Sequence, residues 1–197
     1  MPGSHGLGEP SDWVRRWTHL LAPDAVVLDV ACGRGRHLRW FVQHGHHVVG
    51  IDRDHAALQE LDDLVAQQRA QLVCADIEQD SWPLREGDQK RRFGAVVVTN
   101  YLWRACLPDI VASVAPGGVL LYETFAHGNA SVGKPSRPDF LLQPGELLQA
   151  CASLRVIAYE DGFCADPPRF VQRIAAVRTG PADNTPKAAA PPPRFPL

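Results

Sequence analysis

Apolar residues in this chain fall into short continuous runs, and the stretches between them carry helical spacing. Val26–Val30, His47–Ile51, Gln71–Cys74, Phe93–Thr99 and Val119–Thr124 are such runs. They are Val-rich, too short for helices, and of the kind that forms strands buried on both faces. Between them apolar positions recur every three or four residues. Leu38, Phe41 and Val42 predict a helix over Arg34–Gln43, closed by Gly45. Leu58, Leu61, Leu64 and Val65 predict a helix that starts at a cap on Asp54 and runs to about Gln68. A short helix is expected around Leu107–Val114, followed by a turn at Ala115-Pro116-Gly117-Gly118. Ser11-Asp12 predicts the cap of an N-terminal helix that presents Trp13, Val14, Trp17 and Leu20-Leu21 and ends at Pro23-Asp24. Strands that alternate with helices predict a parallel sheet with helices on both faces. After the fifth strand the pattern changes. A loop over 126–143 leads to a helix around Gly145–Ala152. Two strand-like runs, Leu154–Tyr159 and Phe170–Val177, then read as a closing antiparallel hairpin.

These elements define one domain over residues 11–178. Residues 1–10 are expected to be flexible, and the Pro/Ala-rich tail over 179–197 disordered. A chain of 197 residues with 45% hydrophobic and 21% charged residues can bury a full α/β core. The net charge of -2 argues against a surface dominated by nucleic-acid phosphate contacts. The local basic run Lys90-Arg91-Arg92 reads as a solvated loop. The five cysteines are odd in number and form no CxxC pair. No secretory core opens the sequence and no apolar run approaches membrane-spanning length. A cytoplasmic protein with no membrane partner is the expectation.

The segment from Val26 to His37 then carries the chemistry: a strand ending in an acid, Asp29, a tight turn with Gly33 and Gly35, and a helix. Loops that hold a pyrophosphate offer bare amides and a helix N-terminus to negative charge. A carboxylate at the mouth opposes that and suits a cationic ligand such as S-adenosylmethionine. Three acids, Asp29, Asp52 and Asp76, follow the first three strands, where open parallel sheets bind ligands. Asp52 lies about 20 residues past the glycine turn, the spacing of an acid that takes a ribose diol. Asp76 is placed for an adenine amine, with Ile77 against the ring, and Asp29 for the methionyl ammonium, directly or through water. Ala31, Cys32, Gly33 and Gly35 would line the loop, with Arg53 and Asn100 beside it. Cys32 reads as a small packed residue and not a reactive thiol. Dinucleotide binding competes, but its third glycine position is Leu38 here.

With these motifs in place, the chain resembles class I S-adenosylmethionine-dependent methyltransferases over roughly residues 11–178. Val27–Gly35 resembles the first motif of that class, Val49-Gly50-Ile51-Asp52 the second, Cys74-Ala75-Asp76-Ile77 the third, and Ala115–Gly118 the turn before the fifth strand. Within the class its short form is similar to the tellurite-resistance type. Its segments Thr99-Asn100-Tyr101-Leu102 and Arg137–Leu148 are similar to a bacterial group of small methyltransferases. The resemblance implies a Rossmann-like, doubly wound, mostly parallel seven-stranded sheet with a C-terminal antiparallel hairpin. It also implies S-adenosyl-L-methionine as cofactor.

Methyl transfer from a sulfonium is a displacement with a good leaving group, so alignment can supply most of the acceleration and a base is optional. Tyr101, Glu123 and His127 are the candidate catalytic residues, with Tyr101 and Trp103 as candidate pocket walls. Lys134, Arg137 and Asp139 lie in the 126–143 loop, which is long enough to act as a lid. His44, His46 and His47 cluster at the opposite end of the sheet, and no metal site is expected there. The sequence leaves three functions open: a methyltransferase acting on a small molecule, one acting on RNA or protein, and a non-catalytic binder of the cofactor.

Overall fold

The computed structural model describes residues 8–180 and 195–196. The rest of the expected flexible N-terminus, residues 1–7, and most of the expected disordered tail, residues 181–194 and 197, lie outside the described residues. Among the described residues nine strands form, seven of them in one sheet: β1 (Val27–Val30), β2 (Val48–Asp52), β3 (Ala70–Cys74), β6 (Phe93–Thr99), β7 (Val114–Phe125), β8 (Arg155–Ala165) and β9 (Pro168–Val177). The sheet order is β3-β2-β1-β6-β7-β9-β8. The first five of these strands pair in parallel, and β9 pairs antiparallel with both β7 and β8. Strand order therefore reverses between β1 and β6, and a crevice opens beyond their carboxyl ends.

The apolar runs are strands because both faces of the sheet are covered. Leu28, Val30, Val96, Val98, Leu120 and Tyr122 join one core with Ile110 of α5 (Leu107–Ala112) and Leu147 of α6 (Glu146–Ala150). Val27, Ala95, Val97, Val119 and Leu121 join the other core with α1 (Asp12–Trp17), α2 (Arg36–Gln43), α3 (His55–Gln59) and α4 (Asp62–Ala66). Neighbouring residues of one strand thus serve opposite cores, as the pleat requires. The expected cap at Ser11 forms, its side chain accepting from the Trp13 N–H, and Asp54 caps α3 through the Ala56 and Ala57 N–H groups.

Four expectations change in detail. The helix expected from Asp54 to Gln68 is two short helices, broken at Leu61. Leu58, Leu61 and Leu64 still share one core, so the periodicity recorded the buried face and not the continuity of the hydrogen bonds. The turn expected at Ala115–Gly118 lies inside β7, where a register shift against β6 absorbs it. The basic run expected as a solvated loop is partly structured. A small hairpin joins β4 (Arg85–Glu86) to β5 (Gln89–Lys90), Lys90 pairs with Asp109, and the Arg91 guanidinium sits 4.8 Å over the Phe93 ring. Asp29, expected at the end of β1, lies inside it, opposite Gly50 of β2 and Val97 of β6.

Candidate active site

Leaving β1, the chain turns through three left-handed residues, Ala31 (φ 55), Gly33 (φ 53) and Gly35 (φ 72), before α2 begins. The Cys32 N–H bonds the Ile51 carbonyl at 3.0 Å, and the Gly35 N–H bonds the Cys32 carbonyl at 2.9 Å, which closes the loop against β2. The two glycines answer different needs. A Cβ on Gly35 would lie 2.6 Å from the Leu61 side chain, so this residue is small for packing as well as for its backbone. A Cβ on Gly33 would meet nothing within 4 Å, so its open face is left for a ligand.

Beside the loop stand two of the three expected acids. Asp52, the last residue of β2, accepts the Gly33 N–H on Oδ2 at 2.7 Å and the Asp54 N–H on Oδ1 at 2.9 Å. Asp76 accepts the Glu78 N–H at 3.0 Å. The Arg53 guanidinium lies 3.9 Å from Asp76 and 3.8 Å from Glu78. Ile51, Ile77, Ala31 and Tyr101 complete a cavity of about 180 Å³ between the carboxylates. Each carboxylate oxygen has two lone pairs, so Asp52 holds the glycine loop and can still accept a further hydroxyl.

Past the loop a second cavity, of about 460 Å³, is lined by Cys32, Gly33, Arg34, Arg36, His37, Thr99 and Asn100 among others. The Arg36 guanidinium crosses it, 3.3 Å from the Glu9 carbonyl and 3.3 Å from Thr99 Oγ1. Asn100 is held at φ 56, with its N–H on the Glu123 carbonyl at 2.9 Å. A third cavity, of about 270 Å³, opens beyond Asn100 and Tyr101 and is walled by Glu78, Leu102, Thr124, Phe125, Pro135 and Phe140. Tyr101 borders all three cavities, Ala31 the first and second, Glu78 the first and third, and Asn100 the second and third.

The other expected residues fall elsewhere. Asp29 is 1% exposed and lines none of these cavities. It lies behind the loop, with Oδ2 3.7 Å from His37 Nδ1. Because the Ser11 N–H can only donate to His37 Nε2 (3.1 Å), the proton of a neutral ring is on Nδ1, toward Asp29. Glu123 is equally buried. It takes a bond from Ser11 Oγ at 3.0 Å and pairs with Arg173 Nε at 2.8 Å. His127 is exposed on the loop after β7. The Tyr101 hydroxyl is buried without a hydrogen-bond partner among the described residues, and desolvation raises its pKa well above the usual phenol range. Its ring is a wall and its hydroxyl is no base at neutral pH. Burial, reinforced by the Asp29 and Asp52 carboxylates, likewise pushes the Cys32 thiol up and keeps it protonated. Glu78 escaped the sequence reading. Its signal was an acid two residues past Asp76, on the loop that Asp76 itself closes.

Residues 27–118 match the family described as a methyltransferase domain. No curated protein matches the chain in sequence. Among solved structures it resembles TehB from Haemophilus influenzae (TM-score 0.67, 17% identity, 90% of this chain). The chain spans 64% of the length of TehB. It also resembles an S-adenosylmethionine-dependent methyltransferase from Methanosarcina mazei (TM-score 0.63, 13% identity, 88% of this chain and all of that one). A third likeness is to the glycopeptide N-methyltransferase MtfA complexed with S-adenosyl-L-methionine (TM-score 0.58, 20% identity, 90% of this chain and 99% of that one). At these identities the likenesses establish the fold. The family match ends at Gly118, before the part of β7 and the loop that wall the third cavity.

Proposed function

We propose that this chain, residues 27–118 of which match a methyltransferase domain, is a class I S-adenosylmethionine-dependent methyltransferase that transfers a methyl group to a small-molecule acceptor held in the cavity beyond Tyr101. One observation carries the reading. Two cavities, one flanked by Asp52 and Asp76 and one past the glycine loop, meet at Ala31 and Tyr101, and the third cavity opens from that junction. The first cavity has the chemistry an adenosine needs: the Asp52 and Asp76 carboxylates together with the apolar side chains of Ile51 and Ile77. Asp52 would take the ribose hydroxyls and Asp76 the adenine amine, while the second cavity would hold the amino-acid end near Asn100 and His37.

S-adenosylmethionine supplies, when bound, an electrophilic methyl group on a sulfonium whose departure leaves a neutral thioether. The chain's own part is positioning. Tyr101, Leu102, Phe125 and Phe140 exclude water and hold the acceptor against the junction, and alignment of this kind accounts for most of such an acceleration. The size of the third cavity, about 270 Å³, suits a small body, which supports a small-molecule acceptor. The functional domain is assigned to residues 11–178. Among the described residues no helix is long and apolar enough to cross a membrane, and all five cysteines are free thiols, which supports a reducing, cytoplasmic setting.

The test is a calorimetric titration of the purified chain with S-adenosylmethionine, S-adenosylhomocysteine and NAD, followed by an acceptor screen with labelled methyl donor. Binding of the first two and not NAD, with label transferred to a small molecule, is the expected result. Binding of NAD alone overturns the cofactor. Tight binding with no transfer to any acceptor class favours a non-catalytic binder.

A further inference from the structure

The geometry points to a nitrogen acceptor: a small, flat aromatic or heteroaromatic amine, uncharged before methylation and cationic after it. This rests on the reading of the third cavity as the acceptor site.

The cavity is a built slot. Its roof comes from the 126–143 loop, and that loop is fixed at several points. Asn129, 1% exposed, donates Nδ2 to the Pro135 carbonyl at 3.0 Å and accepts the Phe170 N–H on Oδ1 at 3.1 Å. Arg104 donates to the Asp139 carbonyl at 2.7 Å and the Leu141 carbonyl at 2.9 Å, which brackets Phe140. The Leu142 N–H bonds the Phe125 carbonyl at 3.0 Å. Pro135 and Phe140 are thereby fixed as walls of the cavity that Phe125 and Tyr101 also line, and flat apolar walls select a flat apolar body.

The charge in the slot has one sign. Glu78 is the only acid lining it, and among the described residues no Lys, Arg or His does so. The nearby cations are engaged elsewhere. Arg104 makes a double bond pattern to the Glu146 carboxylate at 2.6 and 2.9 Å, and Arg137 meets Asp139 at 2.8 Å. Arg53, which approaches Glu78 to 3.8 Å, has its side chain 65% exposed, so solvent weakens its hold. An anionic acceptor would enter this slot against a carboxylate whose ion-pair partner among the described residues, Arg53, lies mostly in solvent.

That field suits nitrogen at the moment of transfer. The acceptor lone pair forms the new N–C bond as the C–S bond breaks, and the C–S electron pair stays on sulfur. The positive charge passes from sulfur to nitrogen. A carboxylate in the wall stabilises the nitrogen as it becomes cationic, an interaction stronger in the transition state than with the neutral acceptor. A pyridine-type nitrogen has no proton to lose, and an arylamine loses its surplus proton to water, so no base is needed. The buried, protonated Tyr101 hydroxyl agrees with that.

Three probes on one bicyclic frame test the inference: isoquinoline, 2-naphthol and 2-naphthoate. Each is titrated into the full chain saturated with S-adenosylhomocysteine, and each is incubated with S-adenosylmethionine and assayed for methylated product by mass spectrometry. Isoquinoline should bind at least about tenfold more tightly than 2-naphthoate and alone yield product, and Glu78→Gln should narrow that gap by about tenfold, since it removes the repulsion between the wall carboxylate and the naphthoate anion. Glu78→Asp should keep the gap. Equal or tighter binding of 2-naphthol or 2-naphthoate by the wild type overturns the inference, as does a gap unchanged in Glu78→Gln. So does binding of S-adenosylhomocysteine with none of the three probes. Failure of S-adenosylhomocysteine itself to bind marks instead the collapse of the cofactor reading, and the acceptor inference falls with it.

Discussion

Asp52 offers the sharpest test of how the site holds its ligand. Its carboxylate already accepts two backbone N–H groups, from Gly33 at 2.7 Å and Asp54 at 2.9 Å, and it lines the cavity proposed for adenosine. Asp52→Ala removes the proposed ribose acceptor and also the bond that ties the glycine loop to β2. A hydrogen bond to a charged group contributes about 1.5–3 kcal/mol. The ribose contact alone therefore predicts about 10- to 100-fold weaker binding of S-adenosylhomocysteine. The loop bond sits at the cavity edge, where water can replace the carboxylate, so the loss of folding stability should be smaller, about 1 kcal/mol. Asp52→Asn keeps one acceptor oxygen but turns an NH₂ toward one of the two N–H groups, so its effect should fall between wild type and alanine.

Loosening of the loop would weaken any ligand, so the assay must isolate the ribose. Adenosine and 2′,3′-dideoxyadenosine differ only in the two hydroxyls. Wild-type protein should prefer adenosine by about tenfold or more, and Asp52→Ala should bind the two alike. Calorimetry supplies both ratios. If Asp52→Ala keeps the wild-type preference, Asp52 acts only as a brace for Gly33 and the ribose lies elsewhere.

Three further outcomes follow from the same structure. Gly35→Ala places a Cβ at positive φ and against Leu61, so it should lose about 2–4 kcal/mol and lower Tm by roughly 5–15 °C in a thermal melt; an unchanged Tm would refute the packing role of Gly35. In the folded protein at pH 8 a thiol reagent should label exposed Cys74 within minutes and leave Cys32 and Cys151 unlabelled, since burial pushes Cys151 up to about 12 and Cys32 higher, as mass spectrometry of the labelled peptides would show. Burial opposes ionisation of Glu146, but the bonds from Arg104 and the Gln143 N–H outweigh it and lower its pKa below the usual 4.5. A carboxylate depressed in the folded state stabilises fully above its unfolded pKa and loses that contribution as pH falls through the folded value. The Tm advantage of wild type over Glu146→Gln should therefore be constant above about pH 5 and shrink below it; an advantage that grew on acidification would contradict the assigned pair.

Much of the glycine-loop side of the crevice was legible because its devices are local. Gly33 and Gly35, Asp52 at a strand end, and the cap at Asp54 each state their conformation within a few residues. The apolar runs gave the sheet, since burial on both faces demands continuous Val, Leu and Ile. What stayed hidden depends on residues distant in the chain. The hairpin at Arg85–Lys90 is polar and has no alternation to betray it, only Gly87 at φ 58 in its turn. The proposed acceptor slot joins Glu78, Leu102, Phe125 and Phe140, four residues from four segments, and the roof depends on Asn129 meeting Phe170 forty-one residues later. No spacing in the sequence announces such a contact.

The acids show where a correct motif still misleads about roles. Sequence placed Asp29, Asp52 and Asp76 as one row facing a ligand. Pleat parity separates them. Asp29 lies within β1 on the same face as Val27, toward the core that holds Trp13 and Leu38, whereas Asp52 and Asp76 stand where their strands have ended and the chain is free to turn outward. A carboxylate inside a strand must find polar company or lose its charge. Asp29 meets His37, His37 accepts the Ser11 N–H, Ser11 donates to Glu123, and Glu123 pairs with Arg173. This buried chain runs from beneath the glycine loop to β7 and β9, and its middle members tie the start of α1 to the first turn of α2. The carboxylate that first suggested a cationic ligand thus acts from behind, holding the helix that presents the loop. The two acids beyond the strand ends and Glu78 on the following loop are left to meet what enters the crevice.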